Sequence, residues 1–212
     1  MRPALAVIAL AVAAAAPAAA QTPAPQTSPA ATDAPCTPRQ ANLGGIGRAG
    51  VVAFTAPVSR APVCATFANV AIDGYEAHLG DAPAPDFLIA AAVVPGGNVT
   101  LPLEGVTLSG VGPYAVAPGG AFPDTGGDIS QAPRVVLAFA GQRVLLIATS
   151  AVELVDLTRV LRNTPDLFGA DAVERAVVIA SGPNAALAVR SDDGLIGAPS
   201  IATAQLLWIS KR

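Results

Sequence analysis

The stretch RVVLAFAGQRVLLIATSAVELVDLTRVLRN, residues 134–163, decides the fold. It opens with two apolar runs, Arg134–Phe139 and Arg143–Ala148, which are separated by the turn Ala140–Gln142. Two apolar runs joined by so short a turn predict a β-hairpin.

The same stretch then changes to helical spacing. Three leucines recur at i, i+3 and i+7 and lie on one face of a helix, whereas charged residues take the other face. These leucines are Leu154, Leu157 and Leu161. Ser150 with Glu153 three residues later predicts a capping box at the start of the helix, and Asn163–Pro165 predicts its end.

Outward from this stretch, 20 glycines and 20 prolines divide the chain into short apolar segments. Such segments bounded by turn residues favour strands over helices. The clearest are Val51–Phe54, Ala65–Ile72, Phe87–Val94, Tyr114–Ala117, Ala176–Ile179, Ala185–Val189 and Ala204–Ile209. Strands in succession with one main helix predict an α+β fold, in which the helix packs on a mixed β-sheet.

The N-terminus predicts export. Met1–Pro3 carries the positive charge, residues 4–16 are apolar, and Ala18–Ala20 provides the small residues of a cleavage site. This is the pattern of a signal peptide over residues 1–20, and its apolar core is too short to span a bilayer. An Ala-rich helix is the alternative. We therefore expect a periplasmic or secreted protein.

Two further regions follow the predicted signal peptide. Residues 21–35 are mostly Pro, Ala, Thr, Gln and Ser, and bury too little apolar surface to offset their ordering entropy, so we expect a disordered leader. Residues 36–212 are long enough for a single domain. They contain no apolar stretch that predicts a membrane span. Arg-rich and Lys-poor usage is typical of a GC-rich bacterial genome.

Charge and cysteine content limit the possible partners. The net charge of −3 comes without a basic cluster, which argues against a nucleic-acid partner. Cys36 and Cys64 predict a disulfide in an exported protein, with two buried thiols as the alternative. His78 is the only histidine and no Cys-x-x-Cys occurs, so we expect no metal site, and no cofactor is implied.

Five segments, in chain order, resemble those of a known family. They are AIDGYEA (71–77), VGPYAVAPGGAFPD (111–124), PRVVLAFAGQRVLLIATS (133–150), VELVDLTRVLRN (152–163) and AVVIASGPNAALAV (176–189). Their order and spacing resemble the phosphodiester glycosidase domain, which occurs in many bacterial exported proteins and in the enzyme that uncovers mannose-6-phosphate tags. The similarity spans about residues 65–210 and implies the fold of that family.

The resemblance also implies site residues. Arg134 corresponds to the arginine of the family's Pro-Arg-Thr-Ala hairpin. Asp73 stands at the position of the Asn in the family's Asn-Gly-Gly-Tyr-Phe motif, which this chain matches only in part. With the nearby Asp128, these are the catalytic candidates. The ligand-binding candidates are Gly74, Ser181, Gly182 and Asn184.

One departure from the family pattern limits the implied chemistry. The family's Asp-Gly-Gly-x-Ser loop corresponds to residues 180–184, where Ala180 replaces the Asp. Such hydrolases protonate a leaving oxygen and stabilise charge at a sugar carbon with carboxylates. An alanine side chain can do neither, so the resemblance implies a binder of a glycan or sugar-phosphate with weak or no hydrolase activity.

Alternatives remain open from the residues alone. The chain could be an active hydrolase with rearranged groups, or an envelope protein that acts through protein contacts. Arg134 could be a strand-start arginine paired with Asp128, and residues 181–184 could be an ordinary turn. Asp73, Glu76 and His78 could form a polar, solvated loop.

Overall fold

The computed structural model of the chain describes residues 36–124, 129–197 and 205–212, which form β-strands and one α-helix. The strands are β1 (Arg39–Asn42), β2 (Gly47–Thr55), β3 (Pro62–Ala71), β4 (Tyr75–Gly80), β5 (Ile89–Val93), β6 (Val99–Leu103), β7 (Val106–Val111), β8 (Tyr114–Val116), β9 (Ala132–Ala140), β10 (Arg143–Val152), β11 (Arg175–Ser181), β12 (Leu187–Ser191), β13 (Gly194–Gly197) and β14 (Gln205–Lys211). The helix α1 spans Leu154–Asn163.

Three antiparallel sheets contain these strands. A seven-stranded sheet has the order β1-β2-β3-β10-β9-β11-β8, a five-stranded sheet has the order β13-β12-β5-β14-β4, and β6 pairs with β7. The predicted α+β fold with a mixed sheet is therefore wrong: the described chain is mostly β. The apolar runs in the sequence predict strands, but they do not reveal that every pairing is antiparallel or that the strands divide between separate sheets.

The seven-stranded sheet is buried on both faces, which explains its continuous apolar runs. In β10, Val144 and Leu146 face a core shared with the five-stranded sheet and the β6–β7 hairpin, whereas Leu145 and Ile147 face a second core against α1. Successive side chains of a strand point to opposite faces. An uninterrupted apolar strand is therefore what a central layer requires.

The predicted hairpin and helix are present, but the helix begins later than the capping box places it. Strand β10 continues to Val152, and Glu153 occupies the N-cap without a side-chain cap hydrogen bond. The Ser150 hydroxyl instead accepts a hydrogen bond from the Cys64 backbone N–H at 3.0 Å. Ser150 is therefore part of strand β10 and bonds to β3, and it does not cap the helix.

The disulfide predicted from the sequence joins Cys36 to Cys64. It links the segment before β1 to β3, across a sequence separation of 28 residues. No helix in the described residues is long and apolar enough to cross a membrane.

Replacing both cysteines by serine is expected to lower the free energy of unfolding by about 3 kcal/mol, because the disulfide restricts the unfolded chain. Urea denaturation of the double variant and of the wild type measures the difference. Replacing the exposed Ser109 by alanine is a matched surface control, for which we expect a change below about 0.5 kcal/mol. Equal stability of the double variant and the wild type would contradict a stabilising bond.

Candidate functional site

Arg134 lies near the start of β9, between two polar residues of the neighbouring strands. Thr149 of β10 and Ser181 of β11 are its direct cross-strand partners. Directly paired residues project from the same face, so the three side chains form a row. Val136, two residues further along β9, packs in the core against α1. The row therefore projects from the helix-facing side of the seven-stranded sheet.

Both neighbours of β9 depart from regular pairing beside this row. In β11 the register shifts between Val178 and Ala180, and in β10 it shifts between Thr149 and Val152. Bulges re-aim side chains and end strand pairing, and they are common next to active sites. The two shifts mark this strand end as a place where the sheet stops being regular.

The Arg134 side chain is 3% exposed and is held by several acceptors. Its Nε donates to the Val152 carbonyl at 3.3 Å, and one terminal nitrogen donates to the carbonyl and hydroxyl oxygens of Ser130 at 3.0 and 3.3 Å. The other terminal nitrogen is 3.5 Å from the Ser181 hydroxyl. The guanidinium is thus fixed towards the loop that follows β11.

Thr149 contributes a second buried donor to the row. Its side chain is 6% exposed, and its hydroxyl oxygen is shielded from solvent without a hydrogen-bond partner among the described residues. A buried hydroxyl normally has a partner, so its absence here requires an explanation.

Residues 181–184 connect the two large sheets at this end. Ser181 is exposed, and Gly182–Asn184 forms one 3-10 turn in which Gly182 has a φ of 72° and its carbonyl accepts from the Ala185 N–H at 3.0 Å. Only glycine adopts this φ without strain. Ser181, Gly182 and Asn184, predicted as ligand-binding residues, therefore lie together beside Arg134.

Ala180 points away from this row. It is 2% exposed and belongs to the core between the two large sheets, on the opposite face from Arg134 and Ser181. A side chain at this position contacts apolar neighbours such as Ile179 and Leu187 within that core.

Asp73 and Gly74 lie at the other end of the sheet. They belong to the short 3-10 helix Ile72–Gly74 after β3, beside the β9–β10 turn, where the Ile72 N–H donates to the Gln142 carbonyl at 3.0 Å. Along β10, the partner of Ala71 is six residues from the partner of Arg134, which is about 20 Å. The structure therefore does not bring Asp73 to Arg134. Asp128 lies outside the described residues.

A cleft of about 360 Å³ lies at this second end. Its walls combine Ile72, Pro102, Leu103 and Phe139 with Tyr75, Glu104, Gly141, Glu174 and Arg175. Desolvation by burial and the charge of Glu104 raise the pKa of Tyr75 to about 12, so its phenol remains protonated. Sequence reasoning missed these residues because they are distant along the chain and carry no motif.

Glu76 and His78 do not lie in a polar loop, because Tyr75–Gly80 is strand β4. The His78 ring stacks on Trp208 of β14 with centroids 4.0 Å apart, and its Nε2 is 3.2 Å from the Ser210 hydroxyl. These contacts lie on the outer face of the five-stranded sheet, away from the core shared by the two large sheets. In the described chain, no group of three or more His, Cys, Asp or Glu residues could hold a metal ion.

Comparison with known proteins supports the fold. No protein-family model matches the chain, and no curated protein sequence does so at a significant level. Among solved structures, the chain is similar to the catalytic domain of zebrafish N-acetylglucosamine-1-phosphodiester alpha-N-acetylglucosaminidase, auto-inhibited by pro-peptide. The TM-score is 0.58 at 11% sequence identity, and the match covers 83% of this chain and 88% of that chain. The chain therefore has a fold like that of a phosphodiester glycosidase.

Proposed function

We propose that this protein is an exported, phosphodiester-glycosidase-like protein that binds a glycan or sugar-phosphate at the Arg134 end of the seven-stranded sheet, with weak or no hydrolase activity. The observation that carries the proposal is the row formed by Thr149, Arg134 and Ser181 beside the 181–184 turn. Its guanidinium and hydroxyls are hydrogen-bond donors suited to phosphate or sugar oxygens.

The fold likeness supports the choice of ligand class. The solved structure most useful for comparison is named for action on a sugar phosphodiester. In the present chain the strand-end turn 181–184 corresponds to the family loop to which the sequence resemblance points. The buried Arg134 contacts the start of this turn through the Ser181 hydroxyl.

The weak or absent hydrolysis is inferred from the side chains at this end of the sheet. Thr149, Arg134, Ser181 and the turn Gly182–Asn184 include no carboxylate, and Ala180 packs in the core instead. None of these side chains can protonate a leaving oxygen as a carboxylic acid does. Bound sugar would thus be held without efficient cleavage.

Export is proposed from the N-terminal sequence pattern and is compatible with the Cys36–Cys64 disulfide. Disulfides persist in oxidising compartments such as the periplasm. Detecting mature protein that begins at Gln21, by mass spectrometry of the periplasmic fraction, would support this part of the proposal; retention of residues 1–20 would count against it.

Replacing the exposed Ser181 by alanine is expected to weaken binding of glucose 1-phosphate about five- to tenfold, because one hydroxyl contact is worth about 1 kcal/mol. Titration calorimetry of the wild type and the variant measures this change. Ser109→Ala, which removes an exposed hydroxyl elsewhere, serves as the matched control and should bind as the wild type does. Failure of the wild-type protein to bind glucose 1-phosphate or any glycan tested would refute the proposed function.

Ser181→Ala tests binding with less risk of local unfolding than Arg134→Ala. Arg134 is buried and hydrogen-bonded to backbone carbonyls, so its removal would leave acceptors such as the Val152 oxygen without a donor. A loss of binding in Arg134→Ala could therefore follow from local unfolding. Ser181 is exposed, so its hydroxyl can be removed without opening the core.

A further inference from the structure

We infer that Thr149 is a ligand-contacting residue whose hydroxyl binds a phosphate oxygen beside Arg134, an inference that rests on the proposed function of the Arg134 end. The side chain of Thr149 lies directly across from Arg134 in the β9–β10 pairing. Such partners have Cβ atoms about 4.5–5.5 Å apart, so the two side chains leave neighbouring points on the same face of the sheet.

The unpartnered hydroxyl is the second observation behind this inference. The hydroxyl oxygen of Thr149 is closed to solvent and has no hydrogen-bond partner within residues 36–124, 129–197 and 205–212, although the residue is 6% exposed. Burial of a hydroxyl without a partner is unfavourable, so such a group is retained where an additional molecule completes its hydrogen bonding.

Another buried threonine shows what this chain does when the hydroxyl is structural. Thr158 of α1, fully buried, donates from its hydroxyl towards the carbonyls of Ala115 and Leu154 at 2.6 and 2.9 Å. That hydroxyl fastens the helix to β8. Thr149 has no comparable role in the fold.

The arrangement of the row suggests the orientation of the ligand. Thr149 and Ser181 flank Arg134 on two different strands, and two interstrand spacings separate them by about 10 Å. A phosphate at the Thr149–Arg134 side would leave the sugar towards the exposed Ser181 and Asn184.

The contact of Arg134 with Ser181 is 3.5 Å, longer than its contacts with Ser130 and Val152. An incoming phosphate oxygen would accept from this terminal nitrogen and from the Thr149 hydroxyl. A guanidinium and a hydroxyl are both donors, which suits an oxyanion and excludes a cationic ligand.

The test compares Thr149→Val with Thr158→Val in the full-length chain, using inorganic phosphate and glucose 1-phosphate as probes. Valine keeps the branched shape but removes the hydroxyl. We expect Thr149→Val to weaken binding of both probes about tenfold, while its melting temperature stays the same or rises by about 2–4 °C. Thr158→Val should bind both probes as the wild type does and melt at a lower temperature.

The outcomes separate this inference from the proposed function. Wild-type affinity for both probes in Thr149→Val would overturn the role of Thr149, and a lower melting temperature with unchanged binding would show that its hydroxyl is structural. If Ser181→Ala still weakened glucose 1-phosphate binding in that case, the proposed function would stand alone. Lack of binding by the wild-type protein would overturn both.

Discussion

Replacing Ala180 by aspartate is expected to destabilise the protein by about 3–5 kcal/mol and to create no hydrolase activity. Ala180 is almost fully buried among apolar side chains between the two large sheets, so an aspartate there would bury a carboxylate without a partner. Its side chain also projects from the opposite face to Arg134, so restoring the family residue would not place an acid beside the guanidinium.

Urea denaturation and hydrolysis of a sugar phosphodiester measure the two effects. Burial raises the pKa of the introduced carboxyl above its unfolded value, so the stability loss should be smaller at pH 4 than at pH 7. Ser181→Asp, which adds the same charge one residue later at an exposed site, is the control and should change stability by less than about 0.5 kcal/mol. An Ala180→Asp protein that is stable and hydrolytic would contradict our placement of this side chain.

Replacing Asn69 by leucine is expected to lower the free energy of unfolding by about 3–4 kcal/mol. The buried Asn69 amide donates to the carbonyls of Phe168 and Gly169 at 3.0 and 2.8 Å, and its oxygen accepts from the Arg143 guanidinium. A leucine would leave two carbonyls without this donor and the Arg143 Nε without its acceptor, while the other Arg143 contact, to the backbone carbonyl of residue 69, would remain. The 3-10 segment Pro165–Phe168 would lose these side-chain hydrogen bonds to β3 and keep only its ring contact with Phe67 and its apolar packing there.

Asn163→Leu makes the same chemical change at an exposed position of α1 and should alter stability by less than about 0.5 kcal/mol. Urea denaturation of both variants and the wild type gives the comparison. A loss below about 1 kcal/mol for Asn69→Leu would mean that these hydrogen bonds are replaced by others after the substitution, contrary to our account.

The sequence predicts local structure well where one signal dominates. The β9–β10 hairpin, the α1 leucine face and the cysteine pair are confirmed, since each depends on neighbouring residues or on a single covalent possibility.

The arrangement of sheets could not be predicted in the same way. Strand β4 carries Glu76 and His78 on one face and the buried Tyr75 and Ala77 on the other, a pattern easily taken for a polar loop. The assignment of β5 to one sheet and β9 to another depends on contacts between residues far apart in the chain. The periodicity of apolar residues along the chain does not indicate which strands pair with each other. The α+β prediction was wrong for this reason.

In the candidate site too, contacts that depend on long-range strand pairing could not be predicted from the sequence. Arg134 and Ser181 meet because β9 and β11 pair in a register that the sequence resemblance only suggests. Asp73 carries the same kind of motif similarity, yet the antiparallel direction of β3 and β10 places it at the opposite end of the sheet. Thr149 carries no motif, and only the missing partner of its hydroxyl distinguishes it from other buried threonines.

The most direct test of the central claim is a two-dimensional amide NMR titration of the full-length protein with glucose 1-phosphate. Our account predicts saturable chemical-shift changes at the amides of Thr149, Ser150, Ser181, Gly182 and Asn184. Changes confined to the cleft around Tyr75 and Arg175, or no changes at all, would contradict binding at the Arg134 end of the sheet.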